Sequence, residues 1–161
     1  MMKFPEGFLW GAATSSYQVE GGNVNADWWE WEKKAGKEMS GAACQHYELF
    51  EQDFDLAKNL HHNAHRFSIE WARIEPEEGK FSEEAIRHYT DVILSLKARG
   101  IEPLVTLHHF TNPIWFAKLG GWENKRSVAC FLRYCDFMVR ALAKNVRYWI
   151  TINEPSIYVS H

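Results

Sequence analysis

The sequence predicts an α/β fold in which strands and helices alternate around a parallel sheet. Three observations carry this reading. Short runs rich in aromatic and β-branched residues, at 8–16, 64–71, 103–110 and 148–152, alternate with segments whose apolar residues recur at helical spacing. Each run is separated from the next by a crossover long enough to hold a helix, which is the requirement for parallel strands with right-handed connections. Each run also ends in polar residues: Gln18 with Glu20, then Glu70, then His108 with His109, then Asn153 with Glu154. Four such ends in register point to a polar pocket at one rim of the sheet.

In chain order, Phe4-Pro5-Glu6-Gly7 reads as a turn before the first strand, FLWGAATSS, whose small residues after Trp10 imply close approach by another element or space for a ligand. Residues 17–22, YQVEGG, end that strand, and 23–37 read as a loop carrying Trp28, Trp29 and Trp31, which need burial against core or ligand. Phe50, Phe54 and Ala57 mark a helix over 46–60. Arg66 inside the second strand is unusual, because a buried guanidinium needs a carboxylate or carbonyls. Ser82 is a good N-cap with Glu83 and Glu84 in the first turn, Ile86, Tyr89, Ile93 and Leu96 form the apolar stripe, and Gly100 suits the position after the helix. The third strand ends in two histidines. An irregular connection with Trp115 and Trp122 leads to a helix over 127–144, with Val128, Phe131, Cys135, Met138 and Leu142 on its expected inner face. The fourth strand follows, and 156–161 begin a helix.

Length and composition bound the function. A chain of 161 residues, 46% hydrophobic, supports one domain over 1–161. A net charge of −3 without clustered Lys and Arg disfavours nucleic acid and anionic membrane as partners, and no segment is long and apolar enough to span a membrane. Three cysteines, Cys44, Cys130 and Cys135, are an odd number and fit reduced thiols in a cytoplasmic protein. The N-terminus, with Pro5 and Glu6 before an apolar run broken by Gly11, does not read as a secretory signal. His61 and His65 share the i, i+4 spacing of some zinc sites but lack the intervening Glu, and histidines at a helix end also complement its dipole, so no metal is expected. No phosphate-binding glycine loop is present, and no cofactor is implied. Eight tryptophans lean towards carbohydrate, since indole faces stack on sugar rings.

The organising stretch is YWITINEP, 148–155. Pro155 ends the strand and favours extended backbone at the residue before it, so Glu154 is expected at the tip of the fourth strand in extended conformation. A surface acid capping a strand is the competing reading. Of the adjacent His108 and His109, strand alternation sends one into the pocket and the other away from it.

These residues resemble glycoside hydrolase family 1, the β-glucosidase family. FLWGAATSSYQVEGG, RFSIEWARI, TLHHF and TINEP follow the family's order and approximate spacing. The resemblance covers essentially the whole chain and implies the first four βα units of a (β/α)8 barrel. It implies retaining hydrolysis of terminal β-linked sugars, with Glu154 as catalytic acid/base and Asn153 bonding the sugar 2-hydroxyl. Gln18 and His109 would take hydroxyls at the far side of the ring, and Arg66 would orient the nucleophilic carboxylate. The family carries that nucleophile late in the chain, on strand seven, which has no counterpart in 1–161. The chain alone is therefore expected to be inactive, with a complementing C-terminal half or a second copy as its partner. The alternative is a non-catalytic half-barrel that assembles or binds sugar.

Overall fold

The computed structural model describes residues 3–160, and within them forms one parallel sheet in the order β1-β2-β3-β4. Strand β1 is Gly11–Ala13, β2 Ala64–Ser68, β3 Glu102–His108 and β4 Tyr148–Ile152. Long helices cross between them: α3 (His46–Asn59), α5 (Glu83–Ala98) and α7 (Ser127–Leu142). Short helical pieces sit after the strands: α1 (Ser16–Val19), α2 (Asp27–Lys34), α4 (Trp71–Ile74), α6 (Ile114–Lys118) and α8 (Pro155–Ser160). His161, expected to extend the last helix, lies outside the described residues.

The long helices form where the periodicity places them. Ser82 Oγ accepts the Ala85 N–H at 3.2 Å, capping α5, and Gly100 takes a left-handed φ of 69° just past its end. The core lies between the sheet and these helices. Phe67, Val105 and Leu107 from the strands meet Ile93 and Leu96 of α5 and Tyr134, Met138 and Leu142 of α7. Trp71, 1% exposed, fills the centre and stacks on Tyr134 with ring centroids 5.0 Å apart. Strand β1 runs against β2 so closely that a Cβ on Gly11 would fall 2.0 Å from the Ala64 carbonyl oxygen, which explains the small residue there. Strands β1 and β4 each have one neighbour in the sheet, and every residue of β1 is exposed.

Four expectations change. The first strand is only three residues long, because the Ser16 N–H donates to Ser68 Oγ at 2.8 Å and the chain coils into α1, taking Gln18 with it. Residues 27–34 are helix rather than loop, with Asp27 and Glu30 in the first turn and Lys33 and Lys34 in the last. Trp28 and Trp31 on it are 40% and 57% exposed, Trp28 meeting Tyr17 edge-on with ring centroids 5.8 Å apart, while Trp29 packs against Tyr17, Ala26 and Ala72. On α7 the buried face is Cys130, Tyr134, Met138 and Leu142, while Val128 is exposed. The Tyr134 hydroxyl donates to the Leu107 carbonyl at 2.9 Å and fixes that rotation.

Candidate active site

At the C-terminal rim the ladder continues one residue past β4, where the Asn153 N–H donates to the His108 carbonyl at 2.9 Å. Asn153 is buried, and its side chain is held from across the sheet. Arg66 on β2 donates through Nε to Thr106 Oγ1 on β3 at 2.9 Å and through Nη2 to Asn153 Oδ1 at 2.5 Å. A guanidinium only donates, so it must face the amide oxygen, and the Asn153 NH2 is turned the other way. The cation expected to need a carboxylate or carbonyls is partly buried and, within the described residues, meets a hydroxyl and an amide carbonyl.

Glu154 follows with an exposed side chain. Its backbone is not extended, as the following proline led one to expect, but left-handed, with φ 43°. The chain turns from β4 into α8 within this one residue. Pro155 takes the first helical position, and the Tyr158 N–H already bonds the Glu154 carbonyl at 3.1 Å. Holding a non-glycine residue here costs on the order of 1 kcal/mol, and such strain collects at functional positions.

The two histidines separate. The His108 ring is buried, with Nε2 3.0 Å from Asn112 Oδ1 and ring edges against Trp122, Phe131 and Tyr158. His109 is half-buried, and its Nδ1 has no hydrogen-bond partner among the described residues. Burial, together with the Arg66 charge and His108, pushes its pKa down to about 4, so the ring is neutral at pH 7 and can both donate and accept. Gln18 is exposed on α1, its Oε1 accepting from Ser15 Oγ at 2.6 Å, which leaves the NH2 to donate elsewhere.

The other strand-end acids leave the rim. Glu20 is buried against Arg73 (2.9 Å) and accepts from the Tyr89 hydroxyl at 2.7 Å. Glu70, 1% exposed, accepts from Ser16 Oγ at 2.9 Å and from Thr111 Oγ1 at 3.0 Å. Desolvation, with the nearby Glu20 charge, raises its pKa to about 7. Sequence reading missed three further features of the rim. Asp27 accepts from both the backbone and side chain of Asn112 (2.9 and 2.8 Å), and Asn112 also donates to the Tyr158 hydroxyl at 2.9 Å. Trp28, Phe110 and Tyr158 stack in sequence, within 14° of parallel, around a cleft of about 540 Å³. Thr111 links Glu70 to the His109 loop. Only the excess of aromatics hinted at any of these, because the partners lie far apart in sequence. No group of three or more His, Cys, Asp or Glu among the described residues is placed to hold a metal ion.

With this geometry in view, the profile of glycosyl hydrolase family 1 matches residues 1–161. The chain belongs to glycosyl hydrolase family 1. It is similar to the beta-glycosidase from Pyrococcus horikoshii, with 47% identity and a TM-score of 0.93 over 98% of this chain and 37% of that one. Beta-glucosidase A of Thermotoga maritima is 37% identical over 163 residues, 95% of this chain and 36% of that protein. The structure of a Thermotoga maritima beta-glucosidase in complex with castanospermine superposes with a TM-score of 0.94 at 35% identity, over 97% of this chain and 38% of that one. The chain therefore spans less than two fifths of the length of these family 1 relatives, and its four strands are the first four βα units of a (β/α)8 barrel.

Proposed function

We propose that residues 1–161 form one unit, the N-terminal half of a retaining β-glycosidase acting on terminal β-linked glucosyl-type sugars, with Glu154 as acid/base. The observation that carries the reading is the Arg66–Asn153 bond beside Glu154, which fixes an amide donor next to a carboxyl at the rim. In the first step a carboxylate attacks the anomeric carbon, the glycosidic C–O bond breaks, and protonated Glu154 gives its proton to the leaving oxygen. In the second, water attacks the glycosyl ester, Glu154 takes the water's proton, and the ester bond breaks.

The Asn153 NH2 donates to the sugar 2-hydroxyl, a bond that tightens in the oxocarbenium-like transition state. Gln18 and neutral His109 take hydroxyls further round the ring. Retention needs two carboxyls about 5–5.5 Å apart. Glu70 and Glu20 are both held by buried partners, and the family resemblance implies a nucleophile on a later strand rather than either of them. Arg66 spends two of its N–H groups on Thr106 and Asn153, and the others would orient that carboxylate. The three free cysteines support a reducing, cytoplasmic setting.

The test uses the purified 161-residue chain, an aryl β-glucoside, and the Glu154→Gln variant. Negligible turnover by both is expected. Robust turnover abolished by the substitution would mean that a second carboxylate lies within these residues. A second reading, assembly of half-barrels, is favoured by the single-neighbour edges of β1 and β4. Light scattering separates the two, because a clean monomer at micromolar concentration removes the assembly reading.

A further inference from the structure

The short helix α1 and the loop after β3 carry the side chains read above as ligands of the far sugar hydroxyls, and one buried carboxyl touches both. Ser16 opens α1, two residues before Gln18. Its Oγ donates to Glu70 Oε2 at 2.9 Å, while its N–H and its Oγ are also bonded to Ser68 Oγ, at 2.8 and 3.0 Å. Thr111 lies two residues after His109. Its Oγ1 donates to the Glu70 carboxyl at 3.0 and 3.2 Å, and its N–H to the His109 carbonyl at 2.8 Å. Glu70 is itself pinned, with Oε1 accepting the Ala72 N–H at 3.3 Å and its own N–H donating to the Tyr89 hydroxyl at 2.9 Å.

We infer that Glu70 is a positioning residue for the sugar subsite: it joins the β1–α1 turn to the loop after β3, and so sets where Gln18 and His109 stand relative to each other. The inference rests on the reading of Gln18 and His109 as hydroxyl ligands. A carboxyl is suited to the task because its two oxygens can accept from both hydroxyls and a backbone N–H at once. A buried polar group whose partners are removed leaves unsatisfied donors that must move to find others. In the rim these would be the Ser16 and Thr111 hydroxyls, and with them α1 and the loop after β3. Displacing them would weaken the subsite, since about an ångström of misplacement in a positioned group changes rates by roughly a hundredfold.

The experiment follows the Gln18 side-chain amide and the His109 imidazole by NMR in the ligand-free protein, then repeats the spectra during titration with D-glucose. Glu70→Leu should shift and broaden both signals, Ser16→Ala chiefly Gln18, and Thr111→Val chiefly His109. Glu70→Gln, which keeps an acceptor and adds a donor that either hydroxyl can accept, should restore both. A role in folding alone would lower the melting temperature without this paired pattern. If Glu70→Leu fails to fold, Ser16→Ala and Thr111→Val decide. Unmoved Gln18 and His109 signals in these folded variants would overturn the inference. The spectra without sugar test positioning on their own. If the paired pattern is present but glucose perturbs neither signal in the unsubstituted protein, positioning stands and the sugar-ligand reading fails. Where glucose binds, its affinity should fall roughly fivefold in Thr111→Val, as expected for one lost hydrogen bond of about 1 kcal/mol.

Discussion

Replacing Glu70 by glutamine should stabilise the protein at pH 8 and change little at pH 5. Its carboxyl is wholly buried, near the Glu20 charge, and titrates at about 7 where an ordinary glutamate titrates at 4.5. The folded state therefore keeps the Glu70 proton to higher pH than the unfolded state. Stability from this group is complete below pH 4.5 and is lost as pH rises through 7. At about 1.4 kcal/mol per pH unit between the two values, the loss is on the order of 3 kcal/mol, with the hydrogen bonds to the ionised form already counted in the folded-state value. Glutamine carries no charge and can keep the Ala72, Ser16 and Thr111 contacts, so the variant lacks this slope. Urea unfolding followed by tryptophan fluorescence at pH 5 and pH 8 gives the difference directly. A variant less stable than the parent at pH 8, or a difference equal at both pH values, would refute the assignment of a costly buried charge to Glu70.

On the acid side, His65, His88, His108 and His109 all titrate near 4, their pKa values lowered mainly by burial. Stability is full above pH 6.5 and should drop steeply as pH falls towards 4, read as cooperative loss of circular dichroism. Trp71→Ala should cost about 3–5 kcal/mol, since the ring is wholly buried, stacks on Tyr134 and donates to Glu75 Oε2 at 2.9 Å; chemical unfolding measures it. Glu154→Gly should raise stability by about 1 kcal/mol in the same assay, because glycine takes the left-handed φ of 43° without strain. A gain of stability on removing a residue read as catalytic would separate local strain from function at that position.

The parts of the fold that were legible in sequence are those set by local periodicity. The stripes of α3 and α5 and the β-branched runs of β2, β3 and β4 appear where the pattern places them, and Ser82 and Gly100 bound α5 as expected. The errors sit where a distant group decides. The pattern places the first strand over 8–16, with 17–22 ending it, but Ser68, far along the chain, accepts the Ser16 N–H, and the chain coils into α1 from that residue. Residues 27–34 looked like loop because their tryptophans obscured a helix that in fact ends with a Glu30–Lys34 pair at 3.1 Å. At Glu154 the usual effect of a following proline gave way to the demand for a one-residue turn into α8. The candidate site residues were named from motifs, yet the bond joining Arg66 to Asn153 spans 87 positions and no sequence pattern shows it.

The most direct measurement replaces the corresponding segment of the Pyrococcus horikoshii beta-glycosidase with residues 1–161 and follows hydrolysis of an aryl β-glucoside by NMR at the anomeric carbon. The 47% identity and 0.93 TM-score of the matched segments make the graft feasible. The first-formed sugar should be the β-anomer, and Glu154→Gln should lower kcat/KM by several orders of magnitude for poorly activated leaving groups. An α-anomer as first product, or a Glu154→Gln chimera as active as its parent, would contradict the assignment of Glu154 as the acid/base of a retaining glycosidase.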